Sequence, residues 1–123
     1  MRNILTATVA GALLLGACLA YAADPVSKTV AQVYQEKAAL AGQLVQVQGK
    51  VVKVNNGIMK RNFVHVQDGT GDQGSNNLIV TSTQTAKVGD AVVIAGKVVL
   101  DRDFGSGYSY PLLIEESTIT PAN

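Results

Sequence analysis

The chain has 123 residues and nearly balanced charge, with ten Lys and Arg against nine Asp and Glu. This length is sufficient for one small domain, and the charge balance excludes a strongly basic nucleic-acid-binding protein. One Cys and one His exclude an internal disulfide framework and a Cys/His zinc site.

Residues 1–22 carry the pattern of a secretory signal peptide. Arg2 supplies the positive charge, residues 4–15 form an uncharged apolar run, and Ala20-Tyr21-Ala22 is a small-x-small cleavage motif. We therefore predict cleavage between Ala22 and Ala23 and export to the periplasm. The apolar run is too short for a transmembrane helix. We expect no transmembrane segment after processing and, without Arg2, a net charge near zero.

A second processing pattern overlaps the first. Leu15-Gly16-Ala17-Cys18 resembles a bacterial lipobox, in which Cys18 would be lipidated and would become the mature N-terminus. The protein would then be a membrane-anchored lipoprotein. We favour cleavage after Ala22, which removes the only Cys and leaves a mature chain without thiol chemistry.

The first predicted element of the mature chain is an amphipathic helix, which follows a linker at residues 23–28. Thr29-Val30-Ala31-Gln32 fits a capping box, in which Thr29 caps the helix and Gln32 bonds back. Apolar residues recur at helical spacing on one face, at Val30, Val33, Tyr34 and Leu40. Gly42 is expected to end the helix, which predicts a length of about three turns.

Five β-branched or apolar runs follow and predict five strands. They are Leu44 to Val54, Asn62 to Gln67, Leu78 to Thr81, Ala91 to Leu100 and Tyr108 to Glu115. The first and fourth runs share Gly-Lys-Val-Val, beginning at Gly49 and at Gly96. A Gly inside such a run marks a bulge or bend. The apolar phase of the first run also shifts, which predicts a bulge near Gly49-Lys50.

Turn residues separate the predicted strands. Asn55-Asn56-Gly57 predicts the turn after the first strand, and Asp68-Gly69-Thr70-Gly71 predicts the turn after the second. We expect a loop at residues 101–107 and a flexible tail at residues 118–123. Together these elements predict an all-β fold, a five-stranded OB-fold Greek-key barrel with one N-terminal amphipathic helix, in a single domain over residues 29–117.

The segment Gly49 to Gly71 resembles small exported bacterial OB-fold proteins. The resemblance continues through Val88-Gly89-Asp90 and Asp103 to Tyr108, so it covers most of the mature chain. That family usually carries Gly where Lys60 stands and Trp where Phe63 stands. Its members are commonly labelled nucleic-acid-binding or nucleotide-binding by domain analogy, and the resemblance implies the fold more directly than a ligand.

Candidate ligand-binding side chains combine rings with cationic and polar groups. They are Lys53, Lys60, Arg61, Asn62, Phe63, His65, Arg102, Phe104, Tyr108 and Tyr110. Phe63 and His65 alternate with Val64 and Val66, so we expect their rings to face outward if the valines face the interior. Exposed rings stack on bases while Lys and Arg contact phosphates. The alternative is that Phe63, Tyr108 and Tyr110 fill the core. The hairpin of the first two strands, which carries Lys53, Lys60 and Arg61, would then be a solvated edge.

These observations predict a non-enzymatic periplasmic OB-fold binding module. An oligonucleotide or another extended ligand would lie across the second and third strands. The alternative is a protein-interaction module, an accessory subunit of an envelope complex. A single His without an identified acidic partner argues against a catalytic triad. No metal or cofactor is expected, because residues 68–72 lack the ligand spacing and closing Glu of a calcium loop.

Overall fold

The computed structural model describes residues 24–122. The predicted signal peptide, its cleavage site at Ala22–Ala23 and the lipidation residue Cys18 lie outside the described residues, and they remain predictions. The described elements are β1 (Val26–Ser27), α1 (Val30–Gln35), α2 (Lys37–Leu40), β2 (Leu44–Ile58), β3 (Arg61–Gln67), β4 (Leu78–Ser82), β5 (Ala91–Gly105) and β6 (Tyr108–Pro121). Strands dominate, which confirms the prediction of a mostly β protein.

Five of the strands form a closed ring. The hydrogen-bonded order is β2-β3-β4-β6-β5, and β5 pairs again with β2. β2 makes this closure possible because it changes partner along its length: residues 44–50 pair with β5 and residues 50–58 pair with β3. β4 and β6 are parallel, whereas the other neighbours in the ring are antiparallel.

An aliphatic core fills the ring and extends to the helices. Side chains from all five strands pack there, with Val30, Val33 and Leu40 of the helical segment. The predicted capping box at Thr29 is present, and the predicted helix is divided at Glu36 into α1 and α2. In the part of the chain that the structure describes, no helix has the length and apolar composition needed to cross a membrane.

The turn at Asp68–Thr70 holds the start of α1. The Val30 N–H donates to Asp68 Oδ2 at 2.9 Å, and the Ala31 N–H donates to Thr70 Oγ1 at 3.0 Å. Burial acts to raise the pKa of Asp68. Hydrogen bonds from Thr70 and from the Val30 amide outweigh this effect, so the pKa lies below its ordinary value. This turn therefore ties α1 to the end of β3.

Gly49 and Gly96, where the repeated motif predicts a bulge or bend, lie where a neighbouring strand approaches closely. A Cβ at Gly49 would lie 2.6 Å from Val66 Cγ1, and one at Gly96 would lie 2.8 Å from the Glu115 carbonyl oxygen. The register of β5 shifts at Gly96. The bulge in β2 falls between Val51 and Lys53, immediately after the predicted position.

The predicted turn at Asn55-Asn56-Gly57 is wrong. These residues continue β2, and the turn is Met59-Lys60, where both residues have positive φ, 51° and 65°. Gly57 instead adopts φ 74° within an irregular part of the pairing, and its N–H donates to the Asn62 side-chain oxygen at 3.0 Å. A left-handed Gly therefore marks a strand irregularity here, and not the reversal of the chain.

The last two strands are longer than predicted. The expected loop at residues 101–107 is the end of a hairpin, because β5 continues to Gly105 and β6 begins at Tyr108. The expected tail is also strand up to Pro121, since Thr118 pairs with Ala95 and Pro121 with Val92. Part of the expected linker forms β1 against the start of β2. Cross-strand partners thus extend the folded unit beyond residues 29–117.

Candidate functional site

Phe63 is buried, so the prediction of an exposed ring is wrong. It does lie on the face of β3 opposite Val64 and Val66, which belong to the aliphatic core. However, only 1% of Phe63 is exposed. The Phe104 ring meets it edge-on at a centroid distance of 5.7 Å, and the Tyr110 ring lies tilted against it at 5.6 Å. We call these three rings the aromatic cluster.

The β5–β6 hairpin provides the cover. Phe104 lies near the end of β5 and Tyr110 near the start of β6, and their ring centroids are 6.1 Å apart. Both remain partly exposed. Burial raises the pKa of the Tyr110 hydroxyl, and Tyr108 raises it further. Edge-to-face and tilted rings at these distances attract each other, so the hairpin is held against β3.

Two arginines lie over the Phe104 ring. Cζ of Arg61 is 4.9 Å from the ring centroid and Cζ of Arg102 is 4.6 Å away. Such contacts favour a guanidinium through the quadrupole of the ring. Glu115 lies near both arginines, with its Oε1 3.9 Å from Arg61 Nε and its Oε2 3.5 Å from Arg102 Nε.

A cleft of about 630 Å³ opens beside this group. Its charged lining residues are Lys60, Arg61, Lys97, Arg102, Glu115 and Glu116, which gives four cations and two carboxylates. The remaining lining residues are Met59, Thr81, Ser82, Thr83 and Val99. Taken together, the lining residues come from β3, β4, β5 and β6 and from the ends of the adjoining turns, so the cleft extends across four neighbouring strands. We call it the basic cleft.

The structure brings together only part of the predicted set. Lys60, Arg61 and Arg102 line the basic cleft, next to the aromatic cluster. Tyr108 is half-buried at the start of β6. Asn62 is engaged within the fold, because its side-chain amide donates to the carbonyls of Thr83 and Gln84 at 3.3 and 3.1 Å. Its function is therefore to hold the β2–β3 hairpin against the loop after β4.

His65 and Lys53 lie one step further along the sheet and do not line the cleft. They face each other across β3 and β2. His65 is half-buried, and its Nδ1 is 3.0 Å from Asn77 Nδ2. Desolvation lowers the pKa of the His65 imidazole, and the charge of Lys53 lowers it further.

Sequence reasoning missed Lys97, Glu115 and Glu116 as residues of the site. Lys97 and Glu115 are directly opposed on β5 and β6. The available signal was the opposite charge of these residues on two predicted antiparallel strands. Pairing them requires the register of the two strands, and the bulge at Gly96 shifts that register. Within residues 24–122, no cluster of three or more His, Cys, Asp and Glu side chains could hold a metal ion.

The cleft has the composition of a site for anions. Its cations attract negative charge, and the hydroxyl-bearing residues Thr81, Ser82 and Thr83 at its edge add polar groups. Lys60 is exposed on the Met59-Lys60 turn, and Lys97 is exposed on β5. The ammonium groups of Lys60 and Lys97, on flexible side chains, and two guanidinium groups held over the Phe104 ring therefore surround the basic cleft.

Comparison with known proteins gives similarity at the level of the fold. No protein-family model matches the chain, and no curated protein matches it in sequence. A matching solved structure is the crystal structure of a "putative aspartyl-tRNA synthetase" from Leishmania major Friedlin, with a TM-score of 0.53 and 11% identity over 84% of this chain. The chain spans 22% of that protein's length, so the similarity concerns the fold of one part of a larger protein.

Proposed function

We propose that the protein is an exported, non-enzymatic OB-fold binding module whose basic cleft binds single-stranded nucleic acid through its phosphate backbone. The observation that carries this proposal is the convergence of four cationic side chains on one cleft beside two hairpins. OB-folds bind oligonucleotides across their second and third strands and adjoining loops. In this chain those strands are β3 and β4.

The strand arrangement supports the OB-fold assignment. If β2 to β6 are counted as strands one to five, their order is one, two, three, five, four and back to one. The first and fourth are the long strands that close the ring, and each carries a Gly at a close approach. The export proposal depends on the signal pattern of residues 1–22.

The aromatic cluster favours recognition of phosphates over recognition of bases. Phe63, the ring best placed in sequence for stacking, is buried. The Phe104 ring already contacts Phe63 and two guanidinium groups. Stacking on Phe63 would require the hairpin to move, whereas Lys60 and Lys97 are exposed and can contact a phosphate backbone. The similar solved chain carries the name of an enzyme that acts on tRNA, which agrees with a nucleic-acid ligand.

Fluorescence anisotropy of a labelled single-stranded oligonucleotide, measured over a range of NaCl concentrations, tests the proposal. Lys60→Gln and Lys97→Gln should each weaken binding for all base compositions and reduce the slope of log K against log salt by about one. Lys37→Gln is the matched control, because it removes an exposed cation from α2, away from the cleft. Equal effects of all three substitutions would contradict a role of the cleft.

The second candidate is a protein-binding accessory subunit of an envelope complex. The near-zero net charge and the burial of Phe63 favour it, because both weaken the case for a nucleic-acid platform. Absence of oligonucleotide binding at low salt would reject the first candidate. Co-purification of envelope proteins with the wild type, but not with the Lys60→Gln or Lys97→Gln variants, would then support the second.

A further inference from the structure

Glu115 is an unusual component of a cleft that is otherwise basic. It lies on β6, and its side chain is only 11% exposed. A buried carboxylate is ordinarily held by short, often bidentate hydrogen bonds to Arg. Here Arg61 Nε lies beyond hydrogen-bond distance at 3.9 Å, and Arg102 Nε, itself buried, has no hydrogen-bond partner within residues 24–122. Glu115 therefore neutralises the two arginines without fixing them.

Other contacts hold the two guanidinium groups in position. Both lie over the Phe104 ring, and Arg61 Nη1 also donates to the Met59 carbonyl at 3.3 Å. These contacts do not depend on Glu115. The arginines thus retain their places if another anion replaces the carboxylate, and a phosphodiester carries the same single negative charge.

We propose that Glu115 is an internal competitor for phosphate, which occupies Arg61 and Arg102 until a phosphate of the ligand takes its place. This inference rests on the proposed function and deepens it, because it names the residue that sets affinity. Glu115 lines the open cleft, so the displaced carboxylate can be solvated there.

The competition determines which anions bind. A single small anion must displace Glu115 to reach the arginines, so its binding replaces one negative charge by another and gains little free energy. A polyanion also contacts Lys60 and Lys97, whose charges no carboxylate neutralises at salt-bridge distance among the described residues. The site therefore selects ligands with several consecutive phosphates. Ligands that make only one or two phosphate contacts dissociate readily.

Glu115→Gln and Glu116→Gln form a matched pair for the test. Each substitution removes one negative charge from the cleft lining, but Glu116 is exposed and makes no salt bridge with a described residue. The assay is anisotropy of a labelled oligothymidylate with the purified protein over a NaCl series. We expect Glu115→Gln to bind about tenfold more tightly than wild type and with a steeper salt slope, and Glu116→Gln to change affinity about twofold.

Two results would overturn the inference, and a second variant decides the case in which Glu115→Gln does not fold. If wild type binds but Glu115→Gln is no tighter than Glu116→Gln, Glu115 is not a competitor and the proposed function stands. If neither wild type nor any variant binds at low salt, the proposed function fails together with this inference. If Glu115→Gln does not fold, Glu115→Asp decides: a folded protein with affinity above wild type supports competition, and wild-type affinity or failure to fold rejects it.

Discussion

The aliphatic core and the aromatic cluster lie on opposite faces of the same strand. Val64 of β3 points into a core of Val, Leu and Ile, and Phe63 points into a small group of rings and arginines. Both residues are almost fully buried, at 0% and 1% exposure. An antiparallel strand in a small protein ordinarily has one solvated face. β3 therefore has a buried side chain on each of its faces, in surroundings of different chemistry.

The two regions also differ in how their cover is built. Every strand of the ring contributes to the aliphatic core, so water is excluded by closure of the barrel. The cover of Phe63 comes from one hairpin, whose rings remain partly exposed. The comparison indicates that a surface predicted to bind a ligand has been partly covered by the protein's own hairpin, and that the cations remain at its margin.

The largest expected effect comes from emptying the aromatic cluster. Phe63→Ala should lower the free energy of unfolding by about 3–5 kcal/mol, because a buried ring is lost and a cavity remains. Val64→Ala, on the other face of β3, should cost about 2 kcal/mol. Urea denaturation measures both. A loss below about 1 kcal/mol for Phe63→Ala would show that the cluster is a loose cover and not a second core.

The next effect concerns the barrel itself. Gly96→Ala should destabilise the protein by about 1–3 kcal/mol, because the added Cβ meets Ser117 Oγ and lies 2.8 Å from both Glu115 O and Ile114 Cγ2. Gly49→Ala should behave similarly against Val66 and Gln67. Gly74→Ala is the control, since its φ of 93° brings backbone strain but its Cβ would meet nothing within 4 Å. If the three variants lose equal stability, steric closure is not the reason for Gly49 and Gly96.

The smallest effect is a pH dependence at His65, beside the cluster on the same face of β3. Its folded-state pKa is lowered, so the unfolded chain takes up a proton first as the pH falls. The stability linked to His65 is therefore complete above about pH 6.5 and declines as the pH falls through the lower folded-state value. Thermal unfolding between pH 7.5 and 5 should show a smaller decline for His65→Gln than for wild type. Equal declines would place the responsible group elsewhere.

The barrel could largely be predicted from local sequence. Alternating Val residues located the core faces, the Gly in each shared Gly-Lys-Val-Val located a strand irregularity at or near its position, and the capping box at Thr29 located the helix start. Each of these signals is contained within a few neighbouring residues. They are therefore visible without knowledge of the other strands.

The aromatic cluster and the cleft could not be predicted in the same way. Period-2 alternation correctly placed Phe63 opposite Val64, but it contains no information about what lies beyond that face. The covering rings come from a hairpin far along the chain, and residues 101–107 were predicted as a loop because Gly and Asp are common there. The opposition of Lys97 and Glu115 likewise depends on a register that a bulge shifts.

The pairing that closes the ring determines when the protein can fold. Leu44 pairs with Lys97 and Lys50 pairs with Ala91, so the beginning of β2 finds its partner only after most of the chain is available. Contacts between distant segments slow folding, because the entropy of loop closure is lost before the contacts form. A growing chain therefore has no closed barrel before β5 and β6 emerge, because β6 lies between β4 and β5 in the ring. If the protein is exported as proposed, this delay would be an advantage, because a polypeptide that folds late stays unfolded while it crosses a membrane.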